Sequence, residues 1–169
     1  MTVLSDEYRD VLRHFPAGVT IVTVTAPGAA QPHGLTVSAF ASISPTPPLI
    51  MVAVDHRGMG YEMFEMEGAV FAVNILGQDQ ADLSNRFAWI KDEDRFAVGD
   101  WGTAVTGAPV LQNALAWLDC TIYTRYEAGT HTIYIGQVQA SATPGAGMPP
   151  LIYWNRGYRY LKISDDPTD

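Results

Sequence analysis

The chain is poor in cysteine: Cys120 stands alone among 169 residues, so no intrachain disulfide can staple the fold. A cytoplasmic location is the expectation that follows. No run of about 18 apolar residues is present, which argues against a transmembrane helix. The first residues, Met1 to Arg13, are polar and amphipathic and lack the apolar core of a signal peptide. Positive charge is scarce as well, with 10 Lys and Arg against 18 Asp and Glu and a formal net charge of −8. That balance argues against nucleic acid and anionic membranes as partners, because both require a basic footprint. It also means that any anionic ligand must be held by local donors working against the global field. No glycine-rich fingerprint follows a strand, so a Rossmann site is not expected. His14, His33 and His56 make no metal-ligand spacing with the cysteine, no nucleophile elbow or triad pattern occurs, and there is no internal repeat or low-complexity tract.

What is present fits a packed globular chain. The apolar fraction is 47% and the charged fraction 17%, and the length suits one domain over residues 1–169. Ser5 caps an expected first helix with Tyr8, Val11, Leu12 and Phe15 at helical spacing, ended by Pro16 and Gly18. Strands are expected at Val19 to Thr25, His33 to Ala39, Leu49 to Val54 and Ala69 to Ile75. In the last of these, Phe71, Val73 and Ile75 oppose Val70, Ala72 and Asn74. A short helix is expected around Tyr61 to Met66, stopped by Gly68, and another over Asp79 to Phe87, opened by acidic residues. Lys91 to Pro109 reads as a long surface excursion. Leu115 to Glu127 and Thr132 to Ala140 read as a hairpin turning at Ala128-Gly129-Thr130. A last hairpin, Leu151 to Tyr153 with Tyr158 to Ile163, turns at Asn155-Arg156-Gly157. About seven strands with few helices and no βαβ alternation argue for an antiparallel barrel, a mainly β fold.

The richest stretch is Gly34-Leu35-Thr36-Val37-Ser38-Ala39-Phe40-Ala41-Ser42-Ile43-Ser44-Pro45-Thr46-Pro47-Pro48-Leu49, which reads as strand, rigid connection, strand. Hydroxyls at Thr36, Ser38, Ser42 and Ser44 beside spare backbone N–H groups suit a flat heterocycle rich in carbonyl oxygens and ring nitrogens, such as a flavin. An ordinary half-polar strand reads the same way.

Taken in order, Phe15-Pro16-Ala17-Gly18-Val19-Thr20-Ile21-Val22-Thr23, Gly34 to Phe40, Ser44 with Pro47-Pro48-Leu49, Phe71 to Leu76, Leu83-Ser84-Asn85-Arg86-Phe87-Ala88, Gly129-Thr130-His131-Thr132-Ile133 and Gly157-Tyr158-Arg159-Tyr160 resemble the short-chain flavin reductases. These are the small reductase partners of two-component flavin monooxygenases. The resemblance runs from about Tyr8 to Tyr160. It implies a Greek-key split β-barrel with a few peripheral helices, a homodimer with flavin near the subunit interface, and hydride transfer from NADH or NADPH to FMN or FAD. The reduced flavin would then serve a separate monooxygenase.

The resemblance also places residues. Thr36, Val37, Ser38 and Ala39 fall on the isoalloxazine, partly through backbone N–H, with Ser42 and Ser44 as second candidates. The flavin phosphate falls near Asp55 to Tyr61, where Arg57, Gly58 and Gly60 could hold it; many members carry hydroxyl residues in place of those glycines. Ser84, Arg86 and Phe87 belong beside the phosphate or adenosine end, with Arg86 as the pyrophosphate contact, and Asn74 is a further candidate. His131 falls at the nicotinamide pocket, orienting the ring or its carboxamide, although the family's usual aspartate is replaced by Thr130. Tyr153, Arg156, Tyr158 and Arg159 lie on the hairpin bordering that pocket. Taken without the resemblance, Arg57 reads as a solvated turn residue, Phe87 as core, His131 as a turn histidine and the last hairpin as one with exposed charges. Competing functions are a flavin-binding carrier or redox sensor without turnover, and an oxidase of the pyridoxamine-phosphate type.

Overall fold

The computed structural model describes residues 3–91 and 94–161. In chain order the elements are α1 (Ser5–Leu12), β1 (Ala17–Gly18), β2 (Thr20–Thr25), β3 (His33–Val37), β4 (Phe40–Pro45), β5 (Pro48–Asp55), α2 (Tyr61–Phe64), β6 (Val70–Ile75) and α3 (Ala81–Trp89). A 3₁₀ turn (Arg95–Ala97), β7 (Trp101–Thr103), β8 (Pro109–Leu111), β9 (Ala116–Ala128), β10 (His131–Ala142), β11 (Leu151–Trp154) and β12 (Gly157–Tyr160) complete them. Lys162 and Ile163, expected to end the last strand, lie outside the described residues.

Seven strands form one antiparallel sheet in the order β3-β2-β6-β9-β10-β5-β4. Its two edges, β3 and β4, are consecutive in the chain and separated only by Ser38 and Ala39. One stretch of chain therefore pairs with β2 first and with β5 next, and the sheet bends round on itself without closing its ladder. This is the mainly β, antiparallel split barrel that the sequence leads one to expect.

The barrel interior follows from period-2 alternation. Val22, Val24, Val52, Val54, Phe71, Val73, Cys120 and Tyr134 pack there as one buried cluster. Cys120 is fully buried, and burial pushes its thiol up to about 12, so it behaves as a small apolar side chain. The opposite face of β2, β6 and β9 is also covered, and here the structure departs from expectation. Lys91 to Pro109 is not a plain surface excursion: β7 and β8 pair within it, and β8 is wholly buried. Polar side chains on the barrel's outer face hook this flap down. Thr23 Oγ1 donates to Pro109 O at 2.5 Å, Asn74 Oδ1 accepts from Leu111 N at 2.7 Å, and Asp119 Oδ2 accepts from Thr106 N at 2.7 Å.

Three smaller departures have local causes. The stretch after Ala39 continues as β4, and Pro45 is tolerated there because β4 is an edge strand. Helix α1 is capped at Leu4, one residue before Ser5, with Glu7 accepting from the Leu4 N–H at 3.2 Å. Its apolar stripe faces out: Tyr8, Val11, Leu12 and Phe15 are all exposed, Phe15 to 74%. No helix among the described residues is long and apolar enough to cross a membrane.

Candidate active site

The break between β3 and β4 creates the first element of the site. Ser38 and Ala39 lie between the two strands; Ala39 O accepts from Ala53 N at 3.0 Å, but the N–H groups of Ser38 and Ala39 donate to no described residue. These are the spare main-chain donors that the alternating hydroxyl stretch requires. Thr36, on the same strand, is tied down: its Oγ1 donates to Ser84 O at 2.7 Å, which fastens β3 to α3. The last hairpin closes the other side. The Tyr158 hydroxyl sits 2.9 Å from Ser84 Oγ and 3.0 Å from Asn85 Oδ1. Its turn uses Asn155 and Arg156 with positive φ, 48° and 62°, a strained pair for which asparagine is better suited than arginine.

These elements enclose a cleft of about 670 Å³, within the range of small-molecule sites. Val19, Leu35, Phe87, Ala88 and Tyr153 give it apolar walls; Thr36, Ser38, Gly58, Ser84 and Tyr158 give it polar points. Arg57, Lys91, Arg95 and Arg156 also line it; among the described lining residues Asp55 is the one carboxylate, and Arg156 also reaches Asp10 Oδ1 at 3.4 Å. Four of the chain's 10 basic residues thus meet in one cleft of a protein whose net charge is −8. An apolar slot with spare amides and clustered cations fits a planar heterocycle carrying an anionic tail. A second groove, about 650 Å³, adjoins the cleft at Ser38, Tyr153 and Arg156 and is walled by Leu12, Phe15, Ala39, Phe40 and Trp154.

Of the residues singled out in the sequence, Thr36, Ser38, Arg57, Gly58, Ser84, Phe87, Tyr153, Arg156 and Tyr158 line the cleft together. Ala39 lies in the adjoining groove. Others are elsewhere. The Val37 side chain is 6% exposed and belongs to the barrel core, so its side chain is not offered to a ligand. Ser42 and Ser44 lie on the outer edge strand, away from the cleft, and Ser44 Oγ accepts from Thr46 N at 3.2 Å. Gly60 borders a separate cavity beside His33 and His56. Asn74 is fully buried with both ends of its amide bonded to backbone, so it has nothing to offer a cofactor. Arg86 donates to Asp94 O at 2.8 Å and Arg95 O at 3.2 Å and is not among the residues lining the cleft.

The expected phosphate nest at Asp55 to Tyr61 is also occupied from within. Arg57 N donates to Asp55 Oδ1 at 2.9 Å and Gly58 N to Asp55 O at 2.8 Å. The Arg57 guanidinium grips the same carboxylate at 3.1 and 2.8 Å and holds it well below the usual carboxylate range. An anion entering here competes with Asp55 for Arg57. His131 opens β10 directly opposite Asp55 in the ladder, with Nδ1 3.0 Å from Thr130 Oγ1. It does not line the cleft and stands at the end of β5 that carries Asp55, two residues before Arg57.

Sequence reasoning passed over Arg95, Lys91 and Trp89, which lay in or beside the supposed excursion. The available signal was their rarity, since any basic residue in so acidic a chain is a candidate for local anion binding.

Comparison with known proteins identifies the family. Residues 12–162 match the flavin reductase like domain. The actinorhodin polyketide dimerase of Streptomyces coelicolor is 39% identical over 153 residues, 90% of this chain and 84% of its own length. The reductase component of the FADH(2)-dependent resorcinol hydroxylase of Rhizobium sp. is 36% identical over 156 residues, 92% of this chain and 86% of its own. Among solved structures, the NADH:FAD oxidoreductase of Streptomyces globisporus C-1027 superposes with a TM-score of 0.86 at 30% identity, over 96% of this chain and 98% of that one. A split barrel with spare amides at its kinked strand, cations gathered beside them and a family match across most of its length places this chain in the flavin reductase-like domain family.

Proposed function

We propose that the protein is an NADH-dependent flavin reductase that works as a homodimer and hands reduced flavin to a separate flavin-dependent monooxygenase. The observation that carries this is the pairing of the unbonded Ser38 amide with four cationic side chains in one cleft, with the unbonded Ala39 amide on the groove that adjoins it. Bound flavin supplies an oxidised ring that accepts a hydride from the reduced nicotinamide. The chain's own contribution is placement and charge. Ser38 N–H and Ala39 N–H donate to the electron-rich edge of the ring, where charge accumulates on reduction. Tyr153 and Leu35 give the ring apolar cover, and Arg57 and Arg156 face the anionic tail. The groove beside Ser38 gives the second nucleotide room next to the first, which converts their encounter into an intramolecular one. The homodimer reading rests on α1, whose exposed Leu12 and Phe15 wall that same groove and call for a cover.

The test is one assay matrix: NADH and NADPH, each against FMN, FAD and riboflavin, with consumption of the reduced nicotinamide as readout. Turnover with NADH and at least one flavin is expected. A carrier or sensor would bind flavin and leave every nicotinamide unoxidised, and that result would overturn the proposal.

The family resemblance supports assigning His131 to positioning the nicotinamide, although it lines neither the cleft nor the adjoining groove. His131→Ala is expected to lower kcat/KM for NADH roughly tenfold or more through misplacement of the ring. The Kd for flavin stays unchanged, because His131 does not line the cleft. An unaltered kcat/KM for both nicotinamides would remove His131 from the site.

A further inference from the structure

We propose that Trp89, Lys91 and Arg95 form a subsite for the adenosine diphosphate half of a dinucleotide, at the α3 end of the cleft. The inference deepens the flavin reductase reading and rests on it. Trp89 is the last residue of α3 and, at 76%, the most exposed large apolar side chain described. It nevertheless lines the cleft, next to Ala88, Lys91 and Arg95. An indole left in water contributes nothing to a core; its flat face is a ready platform for a base.

The backbone that carries it is fixed. The helix stops at Ile90, which is extended. Arg95 then clamps both sides of Trp89: its Nε donates to Ile90 O at 2.5 Å and its Nη1 to Phe87 O at 3.3 Å, while Nη1 also donates to Gly34 O at 2.7 Å. Arg86 in turn holds Asp94 O and Arg95 O, so the clamp is itself braced. Platform and cation thus form one rigid unit.

The charge of Arg95 has no counter-ion among the described residues. The side chain is 8% exposed, and all its partners are neutral: three carbonyls and the Met59 sulfur at 3.5 Å. Among the described residues it meets no carboxylate, and burial pulls its pKa below the ordinary arginine value. A buried, uncompensated guanidinium on a cleft wall is costly unless an anion arrives. Lys91 lines both this cleft and the smaller cavity behind Arg95 and adds a second positive charge. Gly34, whose carbonyl holds Arg95, lies two residues before Thr36, about 7 Å along β3. The cationic end is therefore a phosphate's reach from the strand positions assigned to the flavin ring. A base on an indole face with phosphates on Arg and Lys is the chemistry of adenosine diphosphate. Both FAD and the nicotinamide dinucleotide carry that group.

The experiment uses the full chain and titrates ADP and riboflavin separately by calorimetry. ADP is expected to bind the wild type, and Trp89→Ala to weaken it roughly tenfold, in line with base–aromatic stacking. Trp89→Phe should recover most of the loss, and Lys91→Ala should weaken ADP without touching riboflavin. Two kinetic arms assign the source. A loss of FAD affinity with FMN unchanged assigns the subsite to FAD; a raised KM for NADH with riboflavin as acceptor assigns it to the nicotinamide dinucleotide. If Trp89→Ala and Lys91→Ala leave ADP binding and both arms unchanged while riboflavin is still reduced, the subsite is refuted and the reductase reading stands. If the wild type oxidises no nicotinamide with any flavin, the reductase reading has failed instead.

Discussion

Gly34→Val is expected to lower stability by about 3 kcal/mol, seen as a Tm lower by about 6–12 °C. A Cβ at position 34 would lie 2.5 Å from Phe87 Cε1 and 2.7 Å from Phe87 Cδ1, with Phe96 Cζ at 3.3 Å. The Phe87 ring cannot yield. It is 1% exposed and caged by Phe96 and Trp101, with ring centroids 5.2 and 5.4 Å away. Valine's higher strand propensity favours the substitution by up to about 1 kcal/mol, too little to offset the overlap. The strand must therefore give, and β3 can, because it pairs on one side only. Its displacement loosens the Gly34 carbonyl from Arg95 and Thr36 from Ser84, so flavin affinity should fall together with Tm. Gly18→Ala is the control: nothing stands within 4 Å of its Cβ, and a change below about 0.5 kcal/mol is expected. A wild-type Tm for Gly34→Val would show that the aromatic cage is looser than its geometry implies.

The barrel was legible because its signal is local. Alternation along Val70 to Ile75 and Leu115 to Glu127, and the β-branched run at Val19 to Thr25, put strands where strands are. The β7–β8 flap was not legible, because its strands are three residues each and are stabilised by hooks from β2, β6 and β9 that are distant in sequence. Its glycines and prolines look the same whether they turn in solvent or over a buried face. The direction of the α1 stripe was not legible for the complementary reason: helical spacing identifies an apolar face and says nothing about which molecule covers it.

The site divides along the same line. The spare N–H groups at Ser38 and Ala39 fall on the stretch that the resemblance singles out, but the end of β3 at Val37 was not legible, because His33 to Ala39 reads as one strand. Charges could not be placed. Arg86 and Arg95 are nine residues apart and chemically identical in the sequence. One binds carbonyls of the segment that follows α3, and the other turns under the helix end into the cleft wall. Only the path of the chain after Ile90 decides between them.

Asn74 shows most directly how a polar residue that resembles a ligand contact can be a structural tie. Asn74→Leu, which keeps the number of side-chain heavy atoms but adds volume, is expected to lower stability by about 3 kcal/mol. The native amide is fully buried; Nδ2 donates to Ile21 O at 3.0 Å and Oδ1 accepts from Leu111 N at 2.7 Å. Leucine adds apolar burial, yet it strands the N–H of Leu111, itself 0% exposed, at a cost of about 1–3 kcal/mol, and takes one partner from Ile21 O. Releasing Leu111 also frees β8 from β6, so the loss should appear first as faster hydrogen exchange across Pro109–Leu111 and only at higher temperature as global unfolding. A cofactor role predicts the reverse order. At a temperature where the variant is folded, the tie leaves the Kd for FMN at its wild-type value, whereas a flavin contact would raise it without disturbing the flap. Unchanged exchange across β8 combined with weakened flavin binding would return Asn74 to the site.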